Sequence, residues 1–230
     1  MNQSYELKIT EALHMLHTLI GEKHLNVTLA FSHQSEDAIA LSLAQKAGID
    51  FRVFTLDTHK LFEESLAYEK EVEAFFGIKI ERFSAEDATI KALEESVGEY
   101  GIFDDINLRK ECCRVRKILP LHEALKGYQC WISGIRSAQS ITRANTPLME
   151  YDENFKLLKF NPLAHFSDED VERYMQEHAI PKNGLYAKGF KSIGCQPCTR
   201  ALRDGEDIRA GRWWWENPEH KECGLHLHKN

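Results

Sequence analysis

Residues 26–56 read NVTLAFSHQSEDAIALSLAQKAGIDFRVFTL, and this stretch decides the fold. Residues 26–31 are a short apolar run of the length of a buried strand. Residues 38–47 form an apolar helix that Gly48 can close, and residues 51–56 are a second buried strand. The pattern continues with a helix over 61–76, ended by Gly77, and a third strand over 78–83. Strands alternating with helices at this pace predict an α/β fold, a mostly parallel sheet with flanking helices. In such sheets ligands bind beyond the carboxyl ends of the strands, where loops enter helix N-termini. Two loops qualify here: Ser32-His33-Gln34-Ser35-Glu36-Asp37 and Asp57-Thr58-His59. The first has no glycine and no Gly-Lys-Ser/Thr ending, so it is not a P-loop.

Outward from this core, Ile9, Leu13, Leu16 and Ile20 recur at helical spacing and predict an amphipathic opening helix. Helical patterns follow over 85–99 and 107–126, with Pro120 marking a break or a fresh first turn. Residues 128–133 are another buried strand. It runs into Gly134-Ile135-Arg136-Ser137-Ala138-Gln139-Ser140, a third loop on the ligand side. Asp152-Glu153-Asn154 is the turn of a hairpin over 151–160, and Ser167 to Asp170 begin a helix with a capping-box-like pattern.

The chain has 230 residues, 43% hydrophobic and 28% charged, which suits one domain or a domain with an extension. A formal charge of −7 argues against a general nucleic-acid binder. No apolar run has the length of a membrane span, and the N-terminus lacks the apolar core of a secretory signal. With six cysteines and no export signal, a reducing, cytoplasmic setting is expected, where metal binding or catalysis outranks a disulfide framework.

The cysteines fall into distinct groups. Cys195-Gln196-Pro197-Cys198 is a turn that lets two thiolates converge, a device shared by zinc, iron–sulfur and dithiol redox sites. A thioredoxin-type motif belongs after the first strand of a βαβ unit, whereas this one lies near the C-terminus. Cys112 and Cys113 are adjacent, and on a helix their side chains diverge by about 100°. That favours the widely spaced corners of a [4Fe–4S] cluster over one zinc ion. Between Arg109 and Lys117 stand five basic residues and one acid. Helical spacing would set Arg116 beside Cys112 and Lys117 beside Cys113, stabilising thiolates and attracting an anion. Cys223 stands apart, between Lys221 and His226, as a candidate nucleophile. Arg209 and Arg212 could share a helical face and clamp phosphate or sulfate. Of Trp213, Trp214 and Trp215, one or two should pack and the rest lie against a partner or ligand. Cys130 is expected in the core.

Four pieces, Lys110-Glu111-Cys112-Cys113, Gly194-Cys195-Gln196-Pro197-Cys198-Thr199-Arg200, Arg209-Ala210-Gly211-Arg212-Trp213-Trp214-Trp215 and Lys221-Glu222-Cys223-Gly224-Leu225-His226, resemble the iron–sulfur adenylyl-sulfate reductases of the wider APS/PAPS reductase family. The similarity runs from Ser32 to His226. It implies an adenine-nucleotide alpha-hydrolase-like fold related to the ATP pyrophosphatases. It further implies a [4Fe–4S] cluster on Cys112, Cys113, Cys195 and Cys198, with catalysis by Cys223, Lys117 and His226. Substrate contacts are expected from Ser32, Asp57, Arg136, Gln139, Ser140, Arg209 and Arg212.

The implied activity is reduction of adenylyl sulfate (APS) to sulfite and AMP through a Cys S-sulfonate. Thioredoxin or glutaredoxin would be the reductant, and assembly into a homo-oligomer stays open. The chain departs from the family pattern at His33-Gln34-Ser35, where glycine is frequent, and at Ile135-Arg136-Ser137, where two adjacent arginines are frequent. Residues 1–203 are expected to form the nucleotide- and cluster-binding domain and 204–230 a movable catalytic arm. Two rivals stand beside this: a PAPS or dual-substrate reductase, and a zinc-stapled nucleotide-binding module.

Overall fold

The computed structural model describes residues 4–140 and 143–217. Cys223 and His226, and with them most of the expected arm, lie outside the described residues. Six strands form one sheet: β1 (Val27–Ala30), β2 (Arg52–Leu56), β3 (Ile80–Phe83), β4 (Cys130–Ile132), β5 (Met149–Asp152) and β6 (Leu157–Phe160). Their order is β3-β2-β1-β4-β6-β5, all parallel except β5, which pairs antiparallel with β6 as the expected hairpin. The order reverses direction between β1 and β4, so a crevice opens there beyond the strand ends.

Alternation along the strands sorts side chains onto two faces. Val27, Leu29, Val53, Cys130 and Ile132 join the main core with α1 (Tyr5–Met15), α2 (Ser35–Lys46) and α8 (Asp168–Glu177). Phe54 and Trp131 point the other way, against Leu121, Ala124 and Leu125 around α7 (Leu119–Ala124). Helix α2 is buried from Ser35 through Ala44, so it carries the first ligand loop into the centre of the molecule.

The remaining helices are α3 (Glu63–Phe76), α4 (Asp87–Val97), α5 (Gly101–Asp104) and α6 (Ile106–Cys113). Gly77 ends α3 at φ +66°, a left-handed cap that an L side chain rarely adopts. Helix α6 continues into α7 through a π-helical turn over Arg114–Ile118, and Pro120 sits in the first turn of α7. Pro120 thus marks the fresh first turn, one of the two outcomes expected there, and a widened turn directly after the paired cysteines leads into it. At α8 the Ser167 hydroxyl accepts from the Asp170 N–H while Asp170 accepts from the Ser167 N–H, the capping box the sequence predicts.

Of the expected arm at 204–230, the described part, residues 204–217, contacts the residues before it. Arg200 pairs with Glu206 through both carboxylate oxygens, Trp213 is buried, and Glu216 is held by Arg109.

Candidate functional site

A cavity opens at the crevice between β1 and β4. Its floor comes from the ends of β1, β2 and β4 with the first and third ligand loops, and it includes Ser32, Ser133 and Gly134. Its roof comes from residues 191–195 and from Ile208, Arg209, Arg212 and Trp213. The two loops touch: a Cβ on Gly134 would lie 2.5 Å from the Asp37 carboxylate and 2.9 Å from the Asp37 nitrogen. Only glycine allows that approach.

Ser32 is oriented by Asp37, whose carboxylate accepts from the Ser32 N–H at 2.7 Å and from its hydroxyl at 2.6 Å. Burial raises the Asp37 carboxyl to about 6 against the lowering effect of those two bonds. Lys117, Arg143, Lys191, Arg209 and Arg212 all face the same cavity. Local charge thus opposes the acidic balance of the whole chain and suits an anionic ligand.

Of the expected substrate residues, Ser32, Gln139, Arg209 and Arg212 line the cavity, and Asp57, Arg136 and Ser140 do not. The reason for Arg136 is electrostatic. It is 2% exposed, and its guanidinium donates to Glu36 at 2.9 and 3.0 Å, to Asp168 at 2.7 Å and to the Phe166 carbonyl. This arginine neutralises the buried acid of the first loop. A cavity cation follows the third loop: Arg143, which donates to Gln139 at 2.6 Å.

Asp57 is engaged in another network. It caps the His59 N–H and pairs with Arg82, which pairs with Glu69, which in turn bonds His33 at 2.9 Å. His33 holds φ +66°, the backbone geometry that glycine usually serves, fixed by that bond and by Asn183 donating to its carbonyl.

A second cavity lies alongside, lined by Cys112, Cys113, Cys195 and Cys198 together with Arg109 and Arg116. Lys117, Cys195, Arg212 and Trp213 line both cavities and form the partition between them. Cys195 is tied to the second ligand loop through two bonds: the Gln196 N–H donates to the Lys60 carbonyl at 2.7 Å, and the Cys195 thiol donates to Thr58 at 3.3 Å. Thr58 in turn receives Arg116 on its carbonyl at 2.7 Å. Thr58, named only as part of the second ligand loop, and Arg143 and Lys191, which motif reading passed over, also line the cavity. Their only sequence signal is position, one in the second ligand loop, one after the third and one before the Cys-x-x-Cys turn.

The four thiols are not disulfide-bonded. Burial pushes Cys198 up to about 12 and raises Cys112, and Cys195 adds to both shifts; Lys117 works in the opposite sense on both. Arg116 acts on Cys112 as the helical spacing predicts, Lys117 acts on Cys112 and Cys198, and Arg109 reaches Cys113. Arg209 and Arg212 come together through a turn rather than a helix, the Arg212 N–H donating to the Arg209 carbonyl at 2.9 Å.

Among the described residues no three His, Cys, Asp or Glu side chains are grouped to hold a metal ion. The four cysteines frame a wider space. Two N–H donors in the partition, Nε of Arg212 and Nε1 of Trp213, are buried with no hydrogen-bond partner among the described residues. Such donors cost about 1–3 kcal/mol each when left unmet. An anionic group offering acceptor atoms in these cavities would satisfy them.

A family model for the phosphoadenosine phosphosulfate reductase domain matches residues 26–201. A protein of Allochromatium vinosum named adenosine 5′-phosphosulfate reductase is 44% identical over 201 residues, spanning 87% of this chain and 78% of the relative. The protein of the same name from Burkholderia cepacia is 41% identical over 220 residues, spanning 94% and 87%. Among solved structures, a phosphoadenylyl-sulfate (PAPS) reductase from Candida auris superposes with a TM-score of 0.64 at 21% identity, covering 83% of this chain and 97% of that one. An NMN synthetase from Francisella tularensis gives 0.58 at 16%, covering 80% and 74%. These likenesses match the mostly parallel, adenine-nucleotide alpha-hydrolase-like architecture expected from the sequence. The chain belongs to the phosphoadenosine phosphosulfate reductase domain family.

Proposed function

We propose that this protein is an oxidoreductase that reduces adenylyl sulfate to sulfite and AMP in sulfate assimilation. The observation that carries the reading is the shared partition: a cation-lined cavity at the sheet crevice and a four-cysteine cavity meet at Lys117, Cys195, Arg212 and Trp213. The names of the 41–44% identical relatives support the substrate.

In this reading Cys112, Cys113, Cys195 and Cys198 hold a [4Fe–4S] cluster. The fit rests on four thiols around one cavity, too dispersed to grip a single ion, and on two unmet buried donors beside them. Bound there, the cluster would supply a fixed anionic centre that ties the two cysteine motifs together.

The nucleotide's anionic groups lie against Lys117, Arg143, Arg209 and Arg212, with Ser32 held ready by Asp37. The Cys223 thiolate attacks the sulfate sulfur. An S–S bond forms, the S–O bond to the phosphate breaks, and AMP leaves with that electron pair. A thiolate of an external dithiol such as thioredoxin then attacks the Cys223 sulfur, and sulfite leaves with the S–S electron pair. The partner's second thiol resolves the mixed disulfide, which returns Cys223 and leaves the partner oxidised. Cations accelerate the first step only to the extent that they hold the departing phosphate more tightly in the transition state. His226 is assigned to the same anionic groups.

The test pairs two measurements. Anaerobically purified protein should be brown and contain about four irons; a colourless protein with about one zinc would support the nucleotide-binding module instead. Cys223→Ser should keep the iron and lose sulfite production, and retained turnover by this variant would overturn the nucleophile. Turnover of the 3′-phosphorylated substrate by the wild type separates an APS-specific from a dual-substrate enzyme.

A further inference from the structure

Arg109 is 1% exposed, on α6, three and four residues before the paired cysteines. Its guanidinium donates to both carboxylate oxygens of Glu216 at 2.7 and 2.6 Å, a bidentate pair that spans 107 residues of sequence. Both partners are nearly dehydrated, with side chains 2% and 6% exposed. Arg109 also lies 4.9 Å from the centre of the Trp213 ring and within hydrogen-bonding reach of Cys113. Arg212 lies 4.7 Å from the same ring. Trp213 holds φ +41°, and the turn it begins closes when the Glu216 N–H donates to its carbonyl at 2.8 Å. A bulky residue keeps such a backbone only where its surroundings impose it.

These contacts make one connected path: Cys113 to Arg109, Arg109 to Glu216 and Trp213, and Trp213 to Arg212 in the wall of the nucleotide cavity. We propose that Arg109 and Glu216 are positioning residues, a clasp that holds the strained Trp213 turn so that Arg212 is presented to the anionic ligand. Neither residue lines the nucleotide cavity, so each acts through Trp213 and Arg212. The clasp also ties the cysteine-bearing helix to the last described residues before Cys223. The charge in it is matched and the fork geometry fixed, which suits a register device better than a source of stability. The proposal rests on the adenylyl-sulfate reading of the cavity.

The experiment measures adenylyl sulfate binding by calorimetry in a Cys223→Ser background, which cannot react, alone and with Glu216→Gln or Arg109→Lys, together with the iron content and thermal stability of each and the kinetics of the same clasp variants with Cys223 intact. The expected result is dissociation constants raised about tenfold in both variants with iron content unchanged. KM should rise by the same factor while Cys223 is still modified at saturating substrate. A clasp that only stabilises the fold would lower the melting temperature and leave the dissociation constant of the folded protein unchanged, which overturns the proposal. If one variant fails to fold, the other decides. A Cys223→Ser parent that does not bind adenylyl sulfate overturns the functional reading and the clasp's role with it; a parent that binds, with clasp variants that bind equally, overturns the clasp alone.

Discussion

Asp37 accepts two hydrogen bonds from Ser32, at 2.7 Å from the backbone N–H and 2.6 Å from the hydroxyl, so the first residue of the ligand loop is fixed by its last. The carboxylate that does this is wholly buried, and burial moves it from 3.8 to about 6. Because the folded value is raised, the protonated form is favoured in the native state. This group's stabilising contribution is complete below about pH 4 and lost as pH rises through about 6. Asp37→Asn should therefore flatten the stability–pH profile between pH 4 and 7 by about 3 kcal/mol relative to wild type. Urea unfolding across that range checks it; parallel profiles would show that Asp37 is not the titrating group.

Arg136 is predicted to serve the fold and Arg143 the ligand. Arg136→Met strands Glu36 without its partner in the core and should cost about 3–5 kcal/mol. The double variant Arg136→Met with Glu36→Met should recover most of that loss. Arg143→Gln should raise KM about tenfold with a stability change within about 0.5 kcal/mol. Paired denaturation and kinetic measurements separate the two roles, and the reverse assignment would appear as the reverse pattern.

Gly194 leaves room for Arg212. A Cβ at that position would fall on the guanidinium, which also donates to the Ile193 carbonyl. Gly194→Ala should displace Arg212 and weaken ligand binding by about tenfold or more, since a shifted cation loses alignment with its anion. Unchanged binding in a calorimetric titration would show that Arg212 does not reach the ligand.

Cys130 is fully buried in the sheet, and burial pushes its thiol up to about 12. Such a thiol is neither exposed nor ionised at neutral pH and cannot resolve an adduct on Cys223. Cys130→Ala should keep turnover within about twofold and lose about 1–2 kcal/mol of stability from the small void left in the core. A large fall in sulfite release with stability intact would make Cys130 the second thiol.

The sheet was legible because its signals are local. Apolar runs, Gly48 and Gly77 fixed β1, α2, β2 and α3 to within a few residues, and the Ser167–Asp170 cap reproduced its geometry. The cysteine motifs were legible as two spacings far apart in sequence, and the structure brings all four cysteines to one cavity. The pairing of Arg136 was not legible because its partner, Glu36, lies 100 residues away. Sequence shows that a cation is present in a loop but not which acid has claimed it. The same limit hid the Asp57–Arg82–Glu69–His33 network, which explains how histidine occupies a glycine-like backbone position. The π-helical turn after Cys113 was not legible, since no residue type in Arg114–Ile118 announces such a turn.

The central claim is a covalent intermediate on Cys223, and intact-protein and peptide mass spectrometry after incubation with adenylyl sulfate, without any reductant, tests it most directly. The account predicts one sulfonate group per chain, located on Cys223, removed by added reduced thioredoxin with release of one sulfite, and absent in Cys223→Ser. An unmodified protein that nonetheless forms sulfite when thioredoxin is supplied, or a sulfonate carried by another cysteine, would contradict it.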